Sequence, residues 1–174
     1  VTNPMWRFSN QHHAPVPSPH ALLPIPHVLH LPPQFANGIV AAMRVLVISD
    51  VHANLAALEE VLADASAFVW GDQRGFDAIG SLGDIVGYGP YPNECILRLE
   101  AAGGKHVRVA GNHDWAALGK LEIDDFNPEA RQMVLWTQKN LVPHSLEYLQ
   151  NLPSVPLARG KFSITHASPR HPIW

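Results

Sequence analysis

Val45-Leu46-Val47-Ile48-Ser49-Asp50-Val51-His52-Ala53-Asn54 begins as an apolar run and ends in a carboxylate and an imidazole two residues apart. A run this short, rich in Val and Ile, reads as a strand buried on both faces. A buried strand has no use for a charge, so Asp50 belongs where the strand leaves the sheet. Asn54 then stands as an N-cap before Leu55-Ala56-Ala57-Leu58-Glu59-Glu60-Val61-Leu62, a helical pattern. The whole is a strand, a tight turn and a helix, and open α/β sheets hold ligands at that end of a strand. Taken alone, the Asp50/His52 pair fits a solvated turn equally well.

Three later stretches repeat the design. Ile79-Gly80-Ser81-Leu82-Gly83-Asp84 is a short apolar run ending in Asp. Val107-Arg108-Val109-Ala110-Gly111-Asn112-His113-Asp114 ends in Asn, His and Asp, and Phe162-Ser163-Ile164-Thr165-His166 ends in His. Four successive strand ends therefore deliver oxygen or imidazole groups, and Gly83 and Gly111 let the backbones come close.

Asp50-x-His52, Gly83-Asp84, Gly111-Asn112-His113-Asp114 and Thr165-His166 together closely resemble the calcineurin-like metallophosphoesterases. Gly87-Tyr88-Gly89-Pro90-Tyr91-Pro92-Asn93-Glu94 and Thr165-His166-Ala167-Ser168-Pro169-Arg170 look like the small prokaryotic phosphodiesterase branch. The resemblance runs from Met43 to Trp174. It implies an α/β fold, a sandwich of two mixed β-sheets flanked by helices, C-terminally incomplete. The family closes with a Gly-His-x-His segment that gives one His to each metal, and this sequence stops before it.

The resemblance also implies a chemistry. Two divalent ions about 3.5–4 Å apart supply a nucleophile at neutral pH and offset phosphoryl charge. Asp50 and His52 would serve the first ion, Asn112 and His166 the second, and Asp84 would bridge both. Mixed N/O ligation suits Mn²⁺, the first choice, or Fe, Zn²⁺ or Ni²⁺. A metal-bridging hydroxide would attack a phosphoester, most naturally a phosphodiester. His113 would be the general acid rather than a ligand, and Asp114 would fix its ring. The alternatives are a ligand or surface role for His113 and a helix N-cap role for Asp114. Arg170 is a candidate phosphate clamp or a solvated side chain. Tyr88 and Asn93 either read the leaving group or order a proline-rich turn. Protein phosphatases and dinucleoside tetraphosphate hydrolases of this family carry Asp-Arg-Gly after the bridging Asp and Glu after Asn-His. Here Ile85-Val86-Gly87-Tyr88 and Asp114 stand instead, which disfavours both. Each metal is one protein ligand short without the closing segment, so the expectation is weak metal binding and little hydrolysis by this stretch of chain alone. The competing readings are a catalytically silent interaction scaffold of the same fold and a nuclease of the same superfamily.

Length and charge bound the rest. The chain has 174 residues, 12 basic and 15 acidic, a net charge of −3. That gives no support to a dedicated nucleic-acid binder, without excluding a local basic channel. Cys95 is the only cysteine, so no internal disulfide forms, which fits a cytoplasmic location. No apolar run approaches the ~20 residues that span a bilayer. The sequence does not specify an oligomeric state.

Residues 1–42 read as a Pro/His-rich leader outside the fold, extended and poorly ordered, because half of the 16 prolines lie there. Residues 43–174 read as the metallophosphoesterase domain. From Met43 the order is strand, helix (Asn54 to Ala67), strand (Asp77 to Leu82), helix (Pro92 or Asn93 to Ala102) and strand (Lys105 to Ala110), which predicts a largely parallel sheet. A helical module follows at about 115–151, with helices from Asn127-Pro128 and Pro143, positioned to lid the site or simply to pack on it. Val155 to Ala158 and Lys161 to Thr165 read as a hairpin. Met43 directly precedes the first strand and is the expected physiological start. Mass spectrometry of the native protein should then find its N-terminal peptide at Met43; a native peptide upstream would refute this.

Overall fold

The computed structural model describes residues 28–30, 43–159 and 162–174. Its centre is a four-stranded sheet in the order β1-β2-β5-β6, formed by Val28–His30, Arg44–Ile48, Ala78–Ser81 and Lys105–Arg108. Strands β2, β5 and β6 run parallel, with Leu46 opposite Ile79 and Ile79 opposite His106. The βαβ alternation has the predicted consequence, since parallel neighbours need crossover helices. At the starting end of the sheet, Arg44 ties β2 to β5. Its backbone N–H donates to Asp77 Oδ2 at 2.8 Å, and its Nη2 donates to Oδ1 at 2.9 Å. Those hydrogen bonds hold the Asp77 carboxyl below its usual range.

Strand β1 pairs antiparallel with β2, Leu29 opposite Val45. These three residues belong to the stretch expected to lie outside the fold, and here the structure differs. The edge of β2 offers unpaired N–H and C=O groups, and any short apolar segment can add to it. The rest of the leader lies outside the described residues.

The two faces of the sheet are covered unequally. Helices α1 (Leu55–Ala67) and α2 (Pro92–Ala101) lie on one face. Leu58, Leu62, Ile96 and Leu99 form a single core there with Leu46 and Ile79. Side chains alternate along a strand, so Val45 and Val47 point the other way. They are half-buried, not fully buried as a two-sided strand would require. What they face is the antiparallel hairpin β7 (Leu157–Arg159) and β8 (Phe162–Ile164), across an apolar cavity of about 240 Å³.

Local signals hold at both long helix starts. Asn54 Oδ1 accepts the N–H of Ala57 and Asn127 Oδ1 that of Ala130, so each capping side chain satisfies an orphan helix donor. The second cap opens α4 (Pro128–Asn140), which is followed by α5 (Pro143–Gln150). Between α1 and β5 lies an unanticipated hairpin, β3 (Val69–Trp70) with β4 (Gln73–Arg74), turning at Gly71 with φ +59°. Helix α3 (Asn112–Ala117) was likewise not anticipated from Asn112 onward. Among the described residues no helix is long and apolar enough to cross a membrane.

Neighbouring positions on α2 test this packing. Ile96 is fully buried, and Leu97 is 53% exposed. Ile96→Ala should cost about 2–5 kcal/mol in urea unfolding. Leu97→Ala should stay within about 0.5 kcal/mol of the parent. Equal midpoints for the two variants would contradict the seating of α2.

Candidate metal centre

The site lies where β2, β5, β6 and β8 end. The loops after β2 and β5 are zipped together by backbone: Asp50 N–H to Gly83 O at 3.1 Å, His52 N–H to Asp84 O at 2.9 Å and Ala53 N–H to Ile85 O at 2.9 Å. Holding them so forces Asp50, His52, Ala53 and Asp84 to left-handed φ of +49° to +56°. Such backbone costs on the order of 1–3 kcal/mol per residue and clusters at functional sites. Close approach decides Gly111, where a Cβ would collide with Asp84 Oδ1.

Asp50, Asp84 and His166 bring one ligand atom each within 4.8 Å of one another, and so do His52, Asp84 and His113. Asp84 is common to both groups. The ring orientations say more. His166 Nδ1 lies 2.8 Å from Leu82 O, and His52 Nδ1 lies 3.4 Å from Val86 O. A carbonyl only accepts, so each Nδ1 carries the proton and each Nε2 presents a lone pair. That of His166 faces Asn112 Oδ1 at 3.0 Å and Asp84 Oδ2 at 3.6 Å. That of His52 faces Asp50 Oδ1 at 3.6 Å and Asp84 Oδ2 at 3.8 Å. Among the described residues, with the Asn112 amide oriented as here, acceptors thus converge on acceptors, an arrangement that a cation resolves. The donor set is mixed N/O, suited to a first-row divalent ion.

The charges agree. Asp84 is 3% exposed, and its carboxyl is raised to about 7, by burial first and then by Asp114. A nearby cation would hold it ionised. His52 is pushed below its usual range, chiefly by burial. His113 is pushed down to about 4 by burial and by the neighbouring His52. Its Nδ1 is buried without a hydrogen-bond partner among the described residues.

Asp114 departs from both of its sequence readings. It sits at the third position of α3, not at the cap, which is Gly111. Its Oδ1 accepts from Ile85 N at 2.9 Å and Val86 N at 3.1 Å, and its Oδ2 accepts from Gly111 N at 3.0 Å. With its oxygens committed to three backbone amides, the carboxylate holds loops rather than the His113 ring.

The three expected substrate contacts separate. Tyr88 is at the site, its ring centroid 4.9 Å from that of His52 and 4.8 Å from that of His113. Asn93 is spent elsewhere: its Nδ2 donates to Asn140 O at 2.9 Å, and its Oδ1 accepts from Val142 N at 3.1 Å. It clamps α2 to the α4–α5 connection, so its reading as a substrate contact is corrected to a packing role. Arg170 is exposed and makes no hydrogen bond or ion pair among the described residues. Two rings absent from the sequence reading complete the neighbourhood. Phe126 stands 5.0 Å from His113, and Trp174 stands 4.9 Å from Phe126. Neither carries a local signal, since both arrive by tertiary packing.

Residues 43–173 match the family model of calcineurin-like phosphoesterases. An uncharacterized protein of Methanocaldococcus jannaschii is 40% identical over 134 residues, 75% of this chain and 52% of the relative. A metallophosphoesterase crystal structure from Sphaerobacter thermophilus is similar with a TM-score of 0.60 and 50% identity, covering 76% of this chain and 50% of that one. A hypothetical protein of Pyrococcus horikoshii is similar with a TM-score of 0.54 and 25% identity, covering 73% and 56%. The chain thus spans about half the length of the relatives it matches.

The role of Asp114 is open to direct test. In Asp114→Asn, either orientation of the amide turns its NH₂ toward at least one backbone N–H. The variant should lose about 1–3 kcal/mol, the cost of an unsatisfied buried group, seen as a lower thermal midpoint at pH 7. An unchanged midpoint would contradict the three-amide clamp.

Proposed function

The chain belongs to the calcineurin-like phosphoesterase family, and from that premise we propose that it carries the metal-binding half of a phosphoester hydrolase, acting on phosphodiesters. The observation that carries the reading is the set of lone pairs and carboxylate oxygens facing one another around Asp84. Asp50, His52 and Asp84 would hold one divalent ion, and Asp84, Asn112 and His166 a second, with Mn²⁺ the first metal to try. Bound there, such ions acidify water and offset phosphoryl charge.

The protein's own groups have separate tasks. Asp84 has two carboxylate oxygens: Oδ1 accepts from His113 N at 2.9 Å, and Oδ2 faces both imidazoles. That backbone bond fixes the carboxylate between the two ligand groups. Leu82 and Val86 orient the imidazoles through their Nδ1 protons, leaving each Nε2 free to ligate. His113 is the proton donor to the leaving oxygen. Burial and the neighbouring imidazoles keep its ring neutral at neutral pH. An anionic ester beside it favours the protonated form, so substrate itself would load the acid. His113 is also near enough to His52 and Asp84 to ligate, and the experiment separates the two roles.

Wild type, Asp84→Asn and His113→Ala, each in the chain extended through the closing Gly-His-x-His segment, are assayed with Mn²⁺ on bis(p-nitrophenyl) phosphate, and their bound metal is measured after dialysis. Asp84→Asn should lose metal and turnover together. His113→Ala should keep its metal and lose roughly 10²–10⁴-fold in rate, the range for a removed general acid. Equal metal loss in both variants would make His113 a ligand, and no hydrolysis by metal-loaded wild type would remove the phosphoesterase reading.

A further inference from the structure

The His113 ring needs a direction, and its neighbour in sequence does not supply one. Asp114 is committed to three backbone amides, and His113 Nδ1 is buried without a partner among the described residues. The backbone N–H of His113 donates to Asp84 Oδ1 at 2.9 Å. That bond fixes where the side chain starts, not where its ring points. What meets the ring is packing. Gly87 lies against its Nδ1 edge, where an added Cβ would come within 2.6 Å of Nδ1. The rings of His52, Tyr88 and Phe126 stand 4.7, 4.8 and 5.0 Å away. Of these four neighbours, three belong to the loops after β2 and β5. Phe126 comes from the helical module.

Phe126 is firmly placed. His113 and Ala116 are three residues apart on α3 and share one face of it. Phe126 packs with Ala116, and with Ala130 and Val134 of α4, in a small apolar core. Gln138 of α4 ties the two helices, its Nε2 donating to Ala116 O at 2.8 Å. The next residue, Asn127, caps α4 through Ala130 N and donates from Nδ2 to the Tyr88 hydroxyl at 3.3 Å. Two adjacent residues of the module therefore reach His113, one directly and one through Tyr88.

Resting on the phosphoesterase reading, in which His113 donates the proton, we infer that Phe126 is a positioning residue that seats the His113 ring, and that the helical module acts on the site through it. A side chain held by shape alone occupies whichever staggered χ1 wells its neighbours leave open. Each well that opens takes population from the productive one. Reaction geometry is steep, since a misplacement of about 1 Å can cost roughly 10²-fold in rate. The module thus has a task beyond packing.

The first test needs neither metal nor turnover. In the whole chain, three-bond couplings of labelled histidine report the χ1 of His113, assigned by loss of its signals in His113→Ala. Wild type should show one rotamer and Phe126→Ala an average of several. Phe126→Leu keeps apolar bulk and should keep one rotamer. Val134→Ala is the control, because it opens the same core from α4. It should lower the thermal midpoint and leave the His113 rotamer single. Averaging in the wild type would overturn the inference without recourse to any variant. So would a single rotamer in Phe126→Ala, or averaging in Val134→Ala. The second test uses the extended chain with Mn²⁺ on bis(p-nitrophenyl) phosphate. Phe126→Ala should lower kcat by up to roughly 10²-fold, with KM and bound metal unchanged. In a His113→Ala background it should cost nothing further, because residues that act as a unit are not additive. Losses that multiply would overturn the inference. A single His113 rotamer with no hydrolysis by wild type would remove the phosphoesterase reading and leave the seat standing.

Discussion

A carboxylate with no solvent and three amide donors holds this structure together. Asp114 is fully buried, and its oxygens gather the N–H groups of Ile85, Val86 and Gly111. The first two belong to the loop after β5, and the third to the turn after β6. Burial pushes this carboxyl up to about 6, against the pull of those same amides. The group is ionised at neutral pH because charged hydrogen bonds repay part of its desolvation. Asp84, Asn112 and His113 are positioned from this point, since Asp84 immediately precedes the first two amides and Asn112 and His113 follow the third.

One consequence is electrostatic. A second buried carboxylate, Asp84, is held close enough to Asp114 to feel its charge, and both are short of water. Two such groups cannot be left unpaired at little cost. Asp114 is satisfied by backbone. Asp84 has one amide on Oδ1, while its Oδ2 meets two imidazole nitrogens. The structure therefore contains one carboxylate whose charge is answered from within and one whose charge awaits an outside partner. The four left-handed residues around it agree with this division, because strained backbone persists only where its surroundings over-determine it.

The central sheet was legible because strand ends in this sequence are chemically marked. Apolar runs stop at Asp50, Asp84, Asn112 and His166, and Asn54 and Asn127 announce helices by a purely local hydrogen bond. What escaped has equally physical reasons. The strands of the β3–β4 hairpin have two residues each and no period to read, although Gly71-Asp72 marks the turn. Asn93 looked like a site residue because, like Tyr88, it follows Asp84 on a loop expected at the edge of the site. Its actual partners lie 47 and 49 residues away, on a connection whose position sequence spacing does not give. The burial of β2 was overread, since Val-rich runs look alike whether a sheet has one covered face or two. Phe126 and Trp174 carried no motif at all.

The three-amide clamp also bears on how the molecule moves. Binding loops are ordinarily drawn from the least stable part of a fold and open without disturbing the rest. Here the amides of Ile85, Val86 and Gly111 are bonded to a side chain that solvent does not reach. Deuterium can enter them only when that carboxylate is released, and its release unseats both loops at once. These loop amides should therefore exchange as slowly as those of the central strands, and the floor of the pocket should behave as part of the slowest-opening unit. The outer wall is tied differently, since Asn127 reaches Tyr88 through a single exposed hydrogen bond.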